Sequence, residues 1–239
     1  MSIPCRPTPR FFSPARPRRR GIAIGTRLLL AAAIASMAAC TYHGSGIDNP
    51  LTRKPLWFSF AHGDDIRAAC QPGTPDRLRA IYNGQWRRQV RVYELGVTAP
   101  GRLDIRVIGA PSLASFSLDA PLTPWRGKTA SVAVGARDQA ALIEAFAQAG
   151  AFAPAPETMR LSSDEYYWIV AACHAGRFTL NAWEYPSARF AALTFPAPLL
   201  ALDSTGVAFA PPRPPGIQGG EATLQPPIPP WQMQVDAGD

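Results

Sequence analysis

The sequence predicts an α+β domain: a mostly antiparallel β-sheet built from hairpins, with one principal amphipathic helix packed on it. Three observations carry this. Apolar and polar residues alternate over 77–82 and again over 85–95, on either side of Asn83-Gly84, as in a hairpin. The aromatic and β-branched run from Tyr166 to Cys173 is followed by the turn His174-Ala175-Gly176 and a return from Arg177 to Tyr185. Between these pairs, Leu142, Ala145, Phe146 and Ala149 fall at i, i+3, i+4 and i+7, the spacing of one helix face. Strands joined by short turns pair antiparallel, with the helix laid on one face.

In chain order, residues 1–39 come first. They hold seven arginines and no acidic residue, and Leu28 to Ala39 is a run of twelve uncharged residues. That run is shorter than the roughly 20 apolar residues of a membrane span. It suits the apolar middle of a secretory signal peptide with a basic front. Met37-Ala38-Ala39-Cys40 resembles the lipobox of bacterial lipoproteins: an apolar residue, two small residues, then cysteine. The resemblance covers residues 1–40. It implies cleavage before Cys40, diacylglyceryl transfer to the Cys40 thiol, and further acyl chains such as palmitate. It also implies a cell-envelope protein facing the periplasm. Thr41, a residue other than aspartate after the cysteine, implies the outer membrane under the sorting rule such lipoproteins follow. Each buried methylene adds about 0.8 kcal/mol, so several chains anchor firmly. The alternative is an ordinary signal peptide in which Cys40 is incidental.

Removing this segment changes the charge. The whole chain carries +7, but residues 40–239 hold 17 basic and 17 acidic side chains. The basic footprint that nucleic-acid binding needs therefore leaves with the signal, and no nucleic-acid partner is expected. No later apolar run reaches spanning length, so the lipid is the expected membrane attachment.

Residues 40–55 read as a lipidated N-terminus and flexible tether, and 56–209 as a single globular domain. Leu56 to Ala61 reads as a first strand, and Asp64 and Asp65 as caps of a short helix ended by Pro72-Gly73. For the first hairpin, a three-residue turn with a bulge at Gly84 pairs Ala80 with Trp86. It places Val90 and Val92 on the face of Leu78 and Ala80. Residues 103–107, 112–118 and 128–134 are further strands, and 137–149 is the helix. A connector at 153–156 precedes the second hairpin, and a last apolar piece spans 190–202. From 210 to 239, Pro211-Pro212-Arg213-Pro214-Pro215 and Pro226-Pro227-Ile228-Pro229-Pro230 predict an extended or disordered tail that cannot pair in a sheet.

Candidate chemistry is sparse. The oxidising compartment implied by the lipobox permits a Cys70–Cys173 disulfide; the alternative is two separate buried thiols. His62, Asp64 and Asp65 offer a nitrogen and two carboxylates to a metal, although zinc-like ligand spacing is missing and capping alone needs the aspartates. Cys173-His174 suggests a thiol nucleophile beside a base, but neighbours in a strand face apart. His62 is a second candidate base. Arg87, Arg88 and Arg91 can meet an anion, or be a solvated sheet face. Tyr166, Tyr167, Trp168 and Trp183 can stack glycans or, more simply, be core.

No cofactor is expected. The function these readings favour is a lipid-anchored, non-enzymatic binding or assembly factor. Its expected partners are the membrane, through the lipid, and an envelope protein or cell-wall glycan. The alternatives are a periplasmic enzyme using Cys173 or Cys70 with a histidine, and a small-molecule or glycan-binding module.

Overall fold

A computed structural model describes residues 41–98, 100–110, 116–214 and 229–238. The signal segment, the lipobox and Cys40 lie outside the described residues, as does most of the predicted strand at 112–118. Six strands form one antiparallel sheet: β1 (Arg77–Gly84), β2 (Gln89–Gly96), β3 (Gly101–Gly109), β4 (Lys128–Val134), β6 (Tyr166–His174) and β7 (Arg177–Tyr185). Their order is β4-β3-β2-β1-β6-β7. The first four make a meander, and the β6–β7 hairpin docks on β1. A small second sheet pairs β5 (Met159–Ser162) with β8 (Gln232–Val235).

Both faces of the main sheet are covered. On one face lie α1 (Pro50–His62) and α2 (Asp64–Ala69); Trp57, Phe60 and Ile66 pack there against Ile81, Val92, Ile169 and Leu180. On the other lie α4 (Ala136–Gln148) and α6 (Pro196–Ala201). Here Leu142, Phe146, Phe195 and Leu199 meet Leu78, Tyr93, Leu103, Trp168 and Trp183. The short α3 (Thr123–Arg126) and α5 (Ala188–Ala191) flank the sheet. The α+β class and the helix read from Leu142, Ala145 and Phe146 hold. That helix has a counterpart of equal length, α1, on the opposite face.

α1 replaces the predicted strand at Leu56–Ala61 and residues 50–55 of the predicted tether. The Asn49 side chain accepts a hydrogen bond from the Leu51 N–H, and Pro50 sits at the first helical position. Gly63 ends the helix at φ +71°, its N–H bonded to the Phe60 carbonyl. A Cβ there would lie 2.4 Å from the Ala171 Cβ, so a larger residue fails on space as well as on backbone. The rest of the tether is folded too. Tyr42 and Ile47 are buried, and the Tyr42 N–H donates to Ser59 Oγ at 2.8 Å.

The first hairpin also departs from the predicted register. Ala80 faces Tyr93 and Ile81 faces Val92, so Val90 and Val92 lie on the face opposite Leu78 and Ala80. The loop is Gln85–Arg88 rather than Asn83-Gly84, and Gln85 takes the positive φ of +66°. Asn83 is buried instead, its amide donating to the carbonyls of Ser163 and Glu165 at 3.1 and 2.6 Å. The bulged register assumed one buried face; with two, burial does not select between registers.

The tail likewise returns to the fold. β8 adds its four residues to β5, with Leu161 opposite Met233 and both buried. Upstream, residues 203–210 form a strap across β1 and β2. Gln89 Nε2 donates to the Ala208 carbonyl at 2.9 Å and Tyr82 Oη to that of Ala210 at 2.8 Å.

Candidate functional site

Cys70 and Cys173 form a disulfide with Cα atoms 5.5 Å apart, closing a separation of 103 residues. Neither sulfur is free as a nucleophile. His174, at the end of β6, turns from Cys173. Its Nδ1 pairs with Asp76 Oδ2 at 2.5 Å and its ring stacks on Phe152 at 4.1 Å.

The metal trio is dispersed. His62 holds the carbonyls of Phe58 and Gln234 at 2.7 and 2.8 Å, one at each ring nitrogen. Asp64 accepts from Ser59 Oγ at 2.5 Å, while Asp65 accepts from Arg79 at 2.8 and 2.9 Å. Among the described residues no group of three or more metal-ligating side chains comes together.

The arginine trio separates as well. Arg87 and Arg88 stay in the β1–β2 loop, where Arg88 Nη1 donates to Tyr166 Oη at 3.2 Å. Arg91 is 1 % exposed and lies under the strap. It forms an ion pair with Asp203, and it also bonds the Val207 carbonyl and Gln89 Oε1. An anion would have to displace that carboxylate. The predicted stacking residues Tyr166, Tyr167, Trp168 and Trp183 are core, all buried.

Two buried arginine networks therefore pin the layers. Arg79, fully buried, bridges Asp65 on α2 and Glu94 on β2 and also caps the Phe60 carbonyl at 2.7 Å. Burial would lower its pKa, but the hydrogen bonds and charges of Asp65 and Glu94 outweigh that and raise it. Asp203 resolves the same contest. Burial pushes its carboxyl up, yet hydrogen bonds from the Thr205 hydroxyl and N–H and from Tyr93, with the Arg91 charge, hold it below its usual range. Arg53 is pushed down to about 10, by burial first and then by Arg106. It donates to the carbonyls of Ile47, Trp125 and Arg126 at 2.8–3.0 Å, tying the start of α1 to α3.

An open concave feature lies elsewhere among the described residues. A groove of about 730 Å³ runs between β6–β7, α5 and the end of the strap. Trp168 belongs to its lining with Tyr185, Pro186, Phe190, Leu193 and Phe209. Ser187, also in the lining, is committed to capping α5. Its Oγ donates to the Glu184 carbonyl at 2.6 Å and accepts from the Phe190 N–H at 3.1 Å. Among the described residues, the lining has no Asp, Glu, His, Cys, Lys or Arg side chain. Such a surface excludes water from an apolar or planar ligand. The groove was missed from the sequence because it gathers residues from 168 to 212; the run of Pro and Phe between 185 and 196 was its one local sign.

No family model, curated protein or solved structure matches this chain.

Proposed function

We propose that this protein is a lipid-anchored, non-enzymatic factor of the bacterial cell envelope, held through Cys40 and working by binding a partner in the aromatic groove. The observation that carries the binding reading is the groove itself: open and walled by rings and prolines, with no Asp, Glu, His, Cys, Lys or Arg in its described lining. The lipobox-like Met37-Ala38-Ala39-Cys40 supports the anchor, and the neutral charge of residues 40–239 fits a periplasm-facing domain without nucleic-acid contacts. A thiol enzyme would need Cys70 or Cys173 free, and the disulfide occupies both.

Ala188→Trp tests this reading. Ala188 is exposed in the groove lining, so the indole fills the groove without entering the core. Crosslinking in intact cells should give a discrete adduct with the native chain that is lost in the variant, at unchanged melting temperature. The same adducts in both, or none with either, contradict the binding reading. A second reading has a specific support: the volume lies within the range of about 300–1,000 Å³ typical of small-molecule sites. A glycan or other small ligand would then replace the protein partner.

A further inference from the structure

We infer that the outward ridge of α1 is the face on which this domain rests on a lipid bilayer. The inference rests on the anchored reading above and adds an orientation to it. The ordered fold begins almost at the anchor. Tyr42 is 4 % exposed, and its N–H is fixed to Ser59 Oγ in the last turns of α1. Only Thr41 separates it from Cys40, and each residue extends the chain by at most about 3.6 Å. A lipidated Cys40 therefore leaves no slack for the domain to stand off, and the surface beside α1 must meet the headgroups.

That surface has the matching chemistry. Leu51 and Phe58 are 70 % and 41 % exposed. They are seven residues apart, two helical turns, and so lie on one ridge. Exposed Lys54 sits between them, placed to reach anionic headgroups while its stem lies along the apolar ridge. Trp125, 39 % exposed, follows on α3, which Arg53 ties to the start of α1. An apolar ridge with an interleaved cation and a neighbouring tryptophan is the pattern of a helix lying in the membrane interface. The opposite side of α1 carries Trp57 and Phe60 into the core, and Phe58, edge-on to Trp231 at 5.3 Å, still leaves much of its ring to the outside.

The test places a photo-crosslinking amino acid at Leu51, at Phe58, or at Glu144, which is exposed on α4 across the sheet. Each full-length protein is expressed, extracted and reconstituted into vesicles of phosphatidylethanolamine and phosphatidylglycerol. After irradiation, lipid-adducted peptides are quantified by mass spectrometry. A several-fold excess of lipid adducts at 51 and 58 over 144 is expected. Equal adducts at the three positions, or protein–protein adducts at 51 and 58 in place of lipid, overturn the inference. The N-terminal peptide from the same sample reports acylation of Cys40. An acylated protein without the excess loses the orientation and keeps the anchor. An unacylated protein loses the anchor, and the adduct ratio still decides whether the ridge meets lipid.

Discussion

The two faces of the sheet solve the same problem with different materials. Each buries an arginine, Arg79 under α1 and α2 and Arg91 under the strap. Arg79 meets two carboxylates, both on regular elements, and its face is further closed by the Cys70–Cys173 bond. Arg91 meets one carboxylate, on a segment without regular structure 112 residues away, and fills its remaining donors with carbonyl oxygens. A helix brings its own backbone hydrogen bonds to the interface; a strap does not, and the sheet's side chains must supply them. The arginine on the strap side therefore holds chain in place, whereas the one on the helix side holds two finished elements together.

Substitutions can break that contrast. Arg79→Leu leaves Asp65 and Glu94 to the half-exposed Arg77 alone and the Phe60 carbonyl without its donor, and should cost about 3 kcal/mol in urea unfolding; a cost below about 1 kcal/mol would mean that water already reaches this network. Replacing both Cys70 and Cys173 with serine should cost about 2–4 kcal/mol, because the bond closes a long loop in the unfolded chain. Arg91→Leu should cost less, about 2 kcal/mol, since Asp203 keeps Thr205 and Tyr93. Its damage should appear first as proteolysis within 203–212.

Acid should separate the faces without mutation. The Asp203 carboxyl is held below its unfolded value of about 3.9, so its contribution is complete above that pH. It is lost as pH falls through the lower, folded value. Pepsin cleavage within the strap should rise as the pH drops below about 4, and Asp203→Asn should remove this dependence. The smallest effect is expected from Thr205→Val, about 1 kcal/mol, from the hydroxyl that Thr205 donates to Asp203 at 2.5 Å.

What the sequence revealed follows from how each element meets water. α4 was legible because it is wet on one side, so Leu142, Ala145 and Phe146 stand out against polar neighbours. The β6–β7 hairpin was legible through its turn at Ala175-Gly176. α1 was not. Pro55 lies inside it, Arg53 is buried, and Leu51 and Phe58 are exposed, so its apolar residues trace no single face. Arg91 read as an anion contact or a solvated charge, and Arg79 drew no reading of its own, because a buried arginine differs from an exposed one only in its partners, and Asp203 is distant in sequence. The disulfide was reached through its compartment rather than through any local pattern. The groove combines hairpin, short helix and strap, and none of these marks it separately.

The proposed anchor at Cys40 and the Cys70–Cys173 bond can be read from one sample. The measurement is intact mass spectrometry of the detergent-extracted protein, before and after reduction and alkylation. The predicted result is a chain that starts at Cys40 and carries acyl groups, with Cys70 and Cys173 alkylated only after reduction. A mass without acyl groups, or thiols that alkylate without reduction, would contradict it.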